Sequence, residues 1–431
     1  MPLRALAVGI ALLLATGALR AQDFSFDASE FEKKPFEFGG YIELEQKRLQ
    51  LNQDGALYQL GFYRQPRSHL DQTTLTLKPE GRLRFGSFSL NTRAHLEGDW
   101  ETRQFSREFR FDELYGSYKP DPGFTLDAGK IPLKWGKGYA WNPVGFIERQ
   151  KDPNDPELAR QGFTMLTADL IRNFDGPLRT AAITPVLLPA TSAFNTDFGN
   201  RGHLNAAAKL YLLYYDTDID FIFLSNGSRS RRFGADFSRN LGSNLEIHGE
   251  WARIEDTQRQ ITDAAGNVTL LRRKASTSYL LGTRYLTERD TTWIFEYYRN
   301  GPGFAESEMR DFFRYTDTAY AQFLATGNDT QLKRAANLSR SGVARPNPGR
   351  NYLYLRISQK EPLDILYFTP AVTLIANADD RSLSIAPELL YTGINNLELR
   401  AKVLFLTGST GSEFGERTNK RRFELRARLF F

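Results

Sequence analysis

The chain contains no cysteine, and only four histidines and three methionines among its 431 residues. Without cysteine there are no disulfides, cysteine metal sites or thiol nucleophiles. The same absence suits a chain that passes through an oxidising compartment. Long apolar runs are also missing. Past the amino terminus, no stretch approaches the ~20 apolar residues that a membrane-spanning helix needs. Charge of one sign is scarce too. The 56 basic and 51 acidic residues leave a formal net charge of +5, which makes no case for nucleic acid and only a slight one for attracting anions. No sequence repeat of ~40–50 residues is present, so a propeller of similar blades is excluded.

What the chain has is alternation. Its last residues, Lys420 to Phe431, read KRRFELRARLFF. Phe423, Leu425, Ala427, Leu429 and Phe431 alternate with Arg422, Glu424, Arg426 and Arg428. Period two makes a strand with one apolar and one polar face. Three arginines and a glutamate are too much charge for a dry core, whereas lipid on one side and water on the other fit the pattern. The residues from Thr73 to Phe85 and from Phe88 to Trp100 repeat it, with Gly86-Ser87 as the turn between them. In the next strand, Phe109 and Phe111 suggest one phase and Leu114, Gly116 and Tyr118 the other, which a bulge near Asp112 reconciles.

Continued along the chain, this reading gives ~18 antiparallel strands in an all-β transmembrane barrel. The expected connections after even-numbered strands are all short, from Gly86-Ser87 to Gly393–Asn396, and those after odd-numbered strands are mostly long. Short turns at one rim and long loops at the other belong to such a barrel. A mean hydropathy of −0.45 does not oppose it, because every second barrel residue is polar. The 32 Phe and 19 Tyr suit interfacial girdles. The expected organisation is a secretory signal over 1–21, a periplasmic lead-in over 22–35 and a barrel over 36–431. Residues 52–70 and 257–272 are expected to be loops. Residues 301–349 are expected to cap or plug the lumen, with a helix over 305–326.

The segment Gly129-Lys130-Ile131-Pro132-Leu133-Lys134-Trp135-Gly136-Lys137-Gly138-Tyr139-Ala140-Trp141-Asn142-Pro143 leaves the fifth strand. Its Gly-basic pair followed by Trp-Gly resembles the alginate-export group of outer-membrane porins and related barrels. The terminal Phe, with apolar residues at every second position before it, similarly resembles the targeting signal of outer-membrane barrels. These resemblances imply a solute pore in a bacterial outer membrane, whose loop over 135–160 folds inward and narrows the lumen. They also imply outer-membrane lipid, lipopolysaccharide and the barrel-assembly machinery as partners. Alginate itself is not carried over. Whether three barrels associate is left open.

The constriction is expected at Lys134, Trp135, Trp141, Arg149, Lys151, Asp152, Asp155, Glu157 and Arg160, where mixed charge facing across a pore sorts solutes. A basic lumen wall is expected from Lys78, Arg82, Arg84, Arg93, Arg356, Arg400, Lys402, Arg422, Arg426 and Arg428, read either as attraction for anions or as a paired wall. Together these give a passive pore for small hydrophilic, anionic solutes, with no cofactor and no resident metal. Calcium at the oxygens of Asp152 to Glu157 is a minor alternative. A barrel sheath around a partner, either polysaccharide-export machinery or a multihaem electron carrier, is the second reading. An outer-membrane hydrolase using His95 or His248, with Glu97 and Glu246 nearby, is the third.

Overall fold

The computed structural model describes residues 35–102, 104–155, 161–340 and 342–431. The expected signal and nearly all of the lead-in lie outside these residues. The rest forms one closed sheet of eighteen antiparallel strands, each paired with its neighbours in sequence. Closure joins β1 (Phe36–Leu51) to β18 (Asn419–Phe430), with Glu43 opposite Arg428 and Glu45 opposite Arg426. Among the described residues, no helix is long and apolar enough to cross a membrane.

Alternation decides which way each side chain points. In β2 (His69–Phe85) and β3 (Phe88–Glu101), Leu75, Phe85, Phe88, Leu90, Leu96 and Trp100 face outward and are exposed. In β18, Phe423, Leu425 and Leu429 do the same, while Glu424 is buried on the other side. So many exposed apolar side chains on one face of a sheet suit lipid better than water. Phe85, Phe88, Phe174, Tyr215, Tyr367 and Phe431 crowd the short-turn rim. The expected bulge is present in β4 (Gln104–Asp121). Arg93 pairs with Glu113 and Ala94 with Phe111, so Asp112 is the extra residue.

Two expected loops are corrected. Residues 257–272 are not a loop, because β11 (Leu245–Thr262) and β12 (Val268–Leu286) run on past the neighbouring strands and meet at a turn held by Asp263. Gln258, Arg259 and Gln260 carry no apolar alternation there. Residues 52–70 hold a short helix, α1 (Ala56–Phe62), and the start of β2. Within 301–349 lie α2 (Glu306–Thr326), close to the expected helix, and α3 (Thr330–Arg340). The three helices share a core of Ala56, Met309, Phe312, Phe313, Tyr315 and Ala335, against which Ile261 of β11 packs. Arg259 braces this assembly with a two-pronged bond to Glu308 at 2.9 and 2.7 Å. Glu416 ties in the last long loop by accepting from the amides of Ala56 and Gly411.

Candidate pore constriction and vestibule

The chain leaves β5 (Phe124–Ile131) and turns into the barrel before returning as β6 (Phe163–Asn173). Trp135, Val144, Phe146 and Ile147 are buried against Val186, Leu188, Ile222, Leu224 and Ala252 on the inner wall. An apolar lumen face is exceptional in a wet barrel. Its reason here is the apolar underside of this loop. The signal was present in β7 (Leu178–Ala190) and β9 (Thr217–Leu224), which are apolar on both faces at their long-loop ends.

Carboxylates hold the loop by its backbone. Glu250 of β11 accepts from the amides of Lys137 at 2.7 Å, Gly138 at 2.6 Å and Val144 at 3.2 Å. Glu296 of β13 (Thr291–Arg299) accepts from Tyr139 and from Ala140 at 2.9 Å. Glu246 accepts from the Tyr139 hydroxyl at 3.0 Å. Glu148, within the loop, accepts from the Trp135 amide and from Asn142. A bond to an ionised acceptor contributes about 1.5–3 kcal/mol, so these acids set the loop's path. Sequence reasoning missed Glu250 and Glu296. The amides are free to reach them because Gly136 lies at φ +90°, with Asn142 Oδ1 only 1.9 Å from where a Cβ would stand. Gly136→Ala should therefore introduce about 1–3 kcal/mol of local strain. Expected is faster tryptic cleavage at Lys134 or Lys137, with an intact barrel.

The expected constriction residues divide in their roles. Trp141 stacks on Tyr298 with ring centroids 5.2 Å apart. Arg149 pairs with Asp197 and lies 4.5 Å over the Phe163 ring. Lys151 bonds the Gly138 carbonyl, and Lys134 is exposed. Asp152 accepts from the Asn154 amide in its own turn. Asp155 crosses to the far wall, 3.2 Å from Arg426 and 3.8 Å from Arg400, while Lys402 bonds the Asn154 carbonyl at 2.6 Å. Of the three loop acids offered for calcium, Asp152 and Asp155 thus already have partners. Glu157 and Arg160 lie outside the described residues.

The stripe of basic wall residues is a network of partners. Lys78 meets Asp112 at 3.2 Å, Arg93 meets Glu80 and Glu113, and Arg84 meets Glu37. Arg82 bonds Asn91 at 2.6 Å. Arg356 meets Glu388, Arg400 meets Glu398, Arg422 meets Glu424, and Arg428 meets Glu43. Of these two readings of the wall, the geometry matches the paired one. The histidines differ from expectation in setting: His248 is buried beneath the loop, 3.0 Å from Glu296 and 3.4 Å from Glu246, rather than in open lumen water.

Uncompensated positive charge lies elsewhere. Between the inward loop, the outer ends of β11 and β12 and the segments that flank α2 and α3 is a cavity of about 940 Å³ whose lining, among the described residues, includes Arg149, Lys151, Arg229, Arg232, Arg259, Arg273 and Arg345, but only two acids, Glu148 and Asp197. Among the described residues, no carboxylate lies within ion-pair distance of Arg229, Arg232, Arg273 or Arg345. Arg229 donates to the Phe146 carbonyl at 2.8 Å and to that of Phe198, and stacks 4.0 Å from the Phe198 ring. Burial, with Arg232 beside it, pushes its guanidinium down to about 9, which still leaves it charged at neutral pH.

No family model matches the chain, and no curated protein matches it in sequence. Solved structures do match in shape. Pseudomonas aeruginosa OccK5 (OpdH) aligns over 92% of this chain and 98% of its own, at 11% identity and a TM-score of 0.51. Acinetobacter baumannii OccAB1 aligns over 91% and 96%, at 9% identity and 0.53. Pseudomonas aeruginosa OccK11 (OpdR) aligns over 91% and 95%, at 11% identity and 0.50. At these identities the likeness is one of fold, and it covers about nine-tenths of the chain.

Proposed function

We propose that this barrel is a passive outer-membrane pore for small hydrophilic anions. The observation that carries this reading is the vestibule, where four lining arginines, Arg229, Arg232, Arg273 and Arg345, have no carboxylate within ion-pair distance among the described residues. A basic cavity concentrates anions by its field, and a loop folded into the lumen beside it selects by width. The exposed apolar belt is the surface that acyl chains would cover. The anion preference expected from the sequence is kept but moved, from the paired wall to the vestibule. The resemblance to alginate-export barrels contributes the pore and no particular solute. A loop that crosses the lumen to Arg426 and Lys402 leaves less room for a threaded partner, so diffusion is preferred to the sheath.

Single-channel conductance of the refolded barrel under a salt gradient tests the proposal. Expected is a steady ohmic current with an anion-favouring reversal potential. A cation-favouring potential would remove the anion reading and leave the pore. Absence of current from a folded barrel would remove both.

A further inference from the structure

We propose that His95, Glu97 and Glu108 form a binding site for a divalent transition-metal ion of the zinc type, on the inner wall of the β3–β4 hairpin. Neither the constriction nor the vestibule uses these residues. Glu97 and Glu108 stand directly opposite each other in the β3–β4 register. Like charges directly opposite on one sheet face destabilise the pair, and a bridging cation reverses the sign of that contribution. His95 lies two residues from Glu97 and so shares its face. Its Nε2 is 3.1 Å from a Glu97 carboxylate oxygen. One donor atom from each of the three residues falls within 4.8 Å of the others, so small side-chain rotations bring all three onto one ion.

The second ring nitrogen supplies an independent observation. His95 is only 4% exposed, and its Nδ1 is buried without a hydrogen-bond partner. Asp112 Oδ2 stands 3.9 Å from it. Metal-binding imidazoles are oriented by a carboxylate that accepts from the far ring N–H; Asp112 stands on that side of the ring, and a shift of about half an ångström would bring it within hydrogen-bond distance. The bulge places that carboxylate there, since Asp112 is the extra residue of β4.

The donor set decides the ion. One imidazole nitrogen with two carboxylate oxygens suits zinc and its neighbours, whereas calcium and magnesium prefer oxygen alone. Glu97 is half-buried and Glu108 exposed, so the site opens to lumen water, which would fill remaining positions. Two cations lie close by. Arg110 bonds Glu108 at 2.6 Å and Asp112 at 2.9 Å, and Lys78 bonds Asp112 at 3.2 Å. Three carboxylates still outnumber them. Arg110 keeps Asp112 when Glu108 turns to the ion.

Calorimetric titration of Zn²⁺ into the refolded, detergent-solubilised barrel tests the site without any transport measurement. Expected is one ion per barrel. His95→Gln and Glu108→Gln should each weaken binding about tenfold or more, as losing a metal-site partner does. His69→Gln and His203→Gln, at exposed histidines, should leave it unchanged. Since Glu108 is exposed, its substitution leaves the barrel folded, which resistance to SDS without heating verifies. Absence of Zn²⁺ binding to the folded wild-type barrel would overturn the site. So would binding that survives His95→Gln or is lost with His69 or His203.

Discussion

Replacing Glu250 and Glu296 together by alanine is expected to release the inward loop and raise the single-channel conductance, with large open-state noise. Five loop amides lose their acceptors: those of Lys137, Gly138 and Val144 at Glu250, and those of Tyr139 and Ala140 at Glu296. Each buried donor left without a partner costs about 1–3 kcal/mol. The loop escapes that cost by lifting its middle into water. Trp135, Val144, Phe146 and Ile147 keep their apolar seats, worth about 1.5–3 kcal/mol each, so the release is confined to the part between them. The sheet remains closed, because neither acid contributes to its ladder through the side chain. Glu246→Gln is the graded comparison. It touches only the Tyr139 hydroxyl among the loop's donors, and the expected change is correspondingly small. An unaltered, quiet conductance in the double variant would place the narrowest passage elsewhere, at the helices or at the loop tip held by Lys402 and Arg426.

The strands were legible because lipid and water impose opposite demands on successive residues. Phe423, Leu425 and Leu429 had only one place to go once Glu424 and Arg426 needed water. The bulge at Asp112 was legible for the same reason: two phases in one strand need an extra residue between them. Where neither face carries an apolar row the rule falls silent, as it does from Gln258 to Gln260. Glu250 and Glu296 were hidden for a different reason. A carboxylate that accepts backbone amides is spelled in the same way as one that faces water. What distinguishes them is the partner, and Glu250 and Lys137 are far apart in sequence. A readable hint lay in Val186 to Leu188 and Ile222 to Leu224. Apolar residues on the inner face of a barrel strand announce that something apolar lies against them.

Reversing charge at Arg273 and Arg345 should abolish the proposed anion preference without changing the width of the proposed pore. Both side chains are exposed at the vestibule lining, and neither meets a carboxylate within ion-pair distance among the described residues. Arg273→Glu with Arg345→Glu therefore disturbs no bond on which the fold depends. It turns a lining of seven basic and two acidic residues into one of five and four. The field that enriches anions at the mouth falls with that excess. The reversal potential under a salt gradient should move toward zero, while conductance in symmetrical concentrated salt stays nearly the same. Ionic strength separates this cause from a structural one. The Debye length is about 10 Å at 0.1 M salt and about 3 Å at 1 M, so the difference between variant and wild type should shrink as salt rises. Arg289→Glu with Lys360→Glu, the same charge change at exposed turns on the opposite rim, should shift the potential far less. Equal shifts from the two rims would mean that overall charge, and not the vestibule, governs selectivity. The paired wall makes the opposite expectation testable in the same apparatus. Arg428 is matched by Glu43 and Glu398, so replacing Arg428 and Glu43 together by neutral residues removes charges that already cancel and should leave the potential where it was.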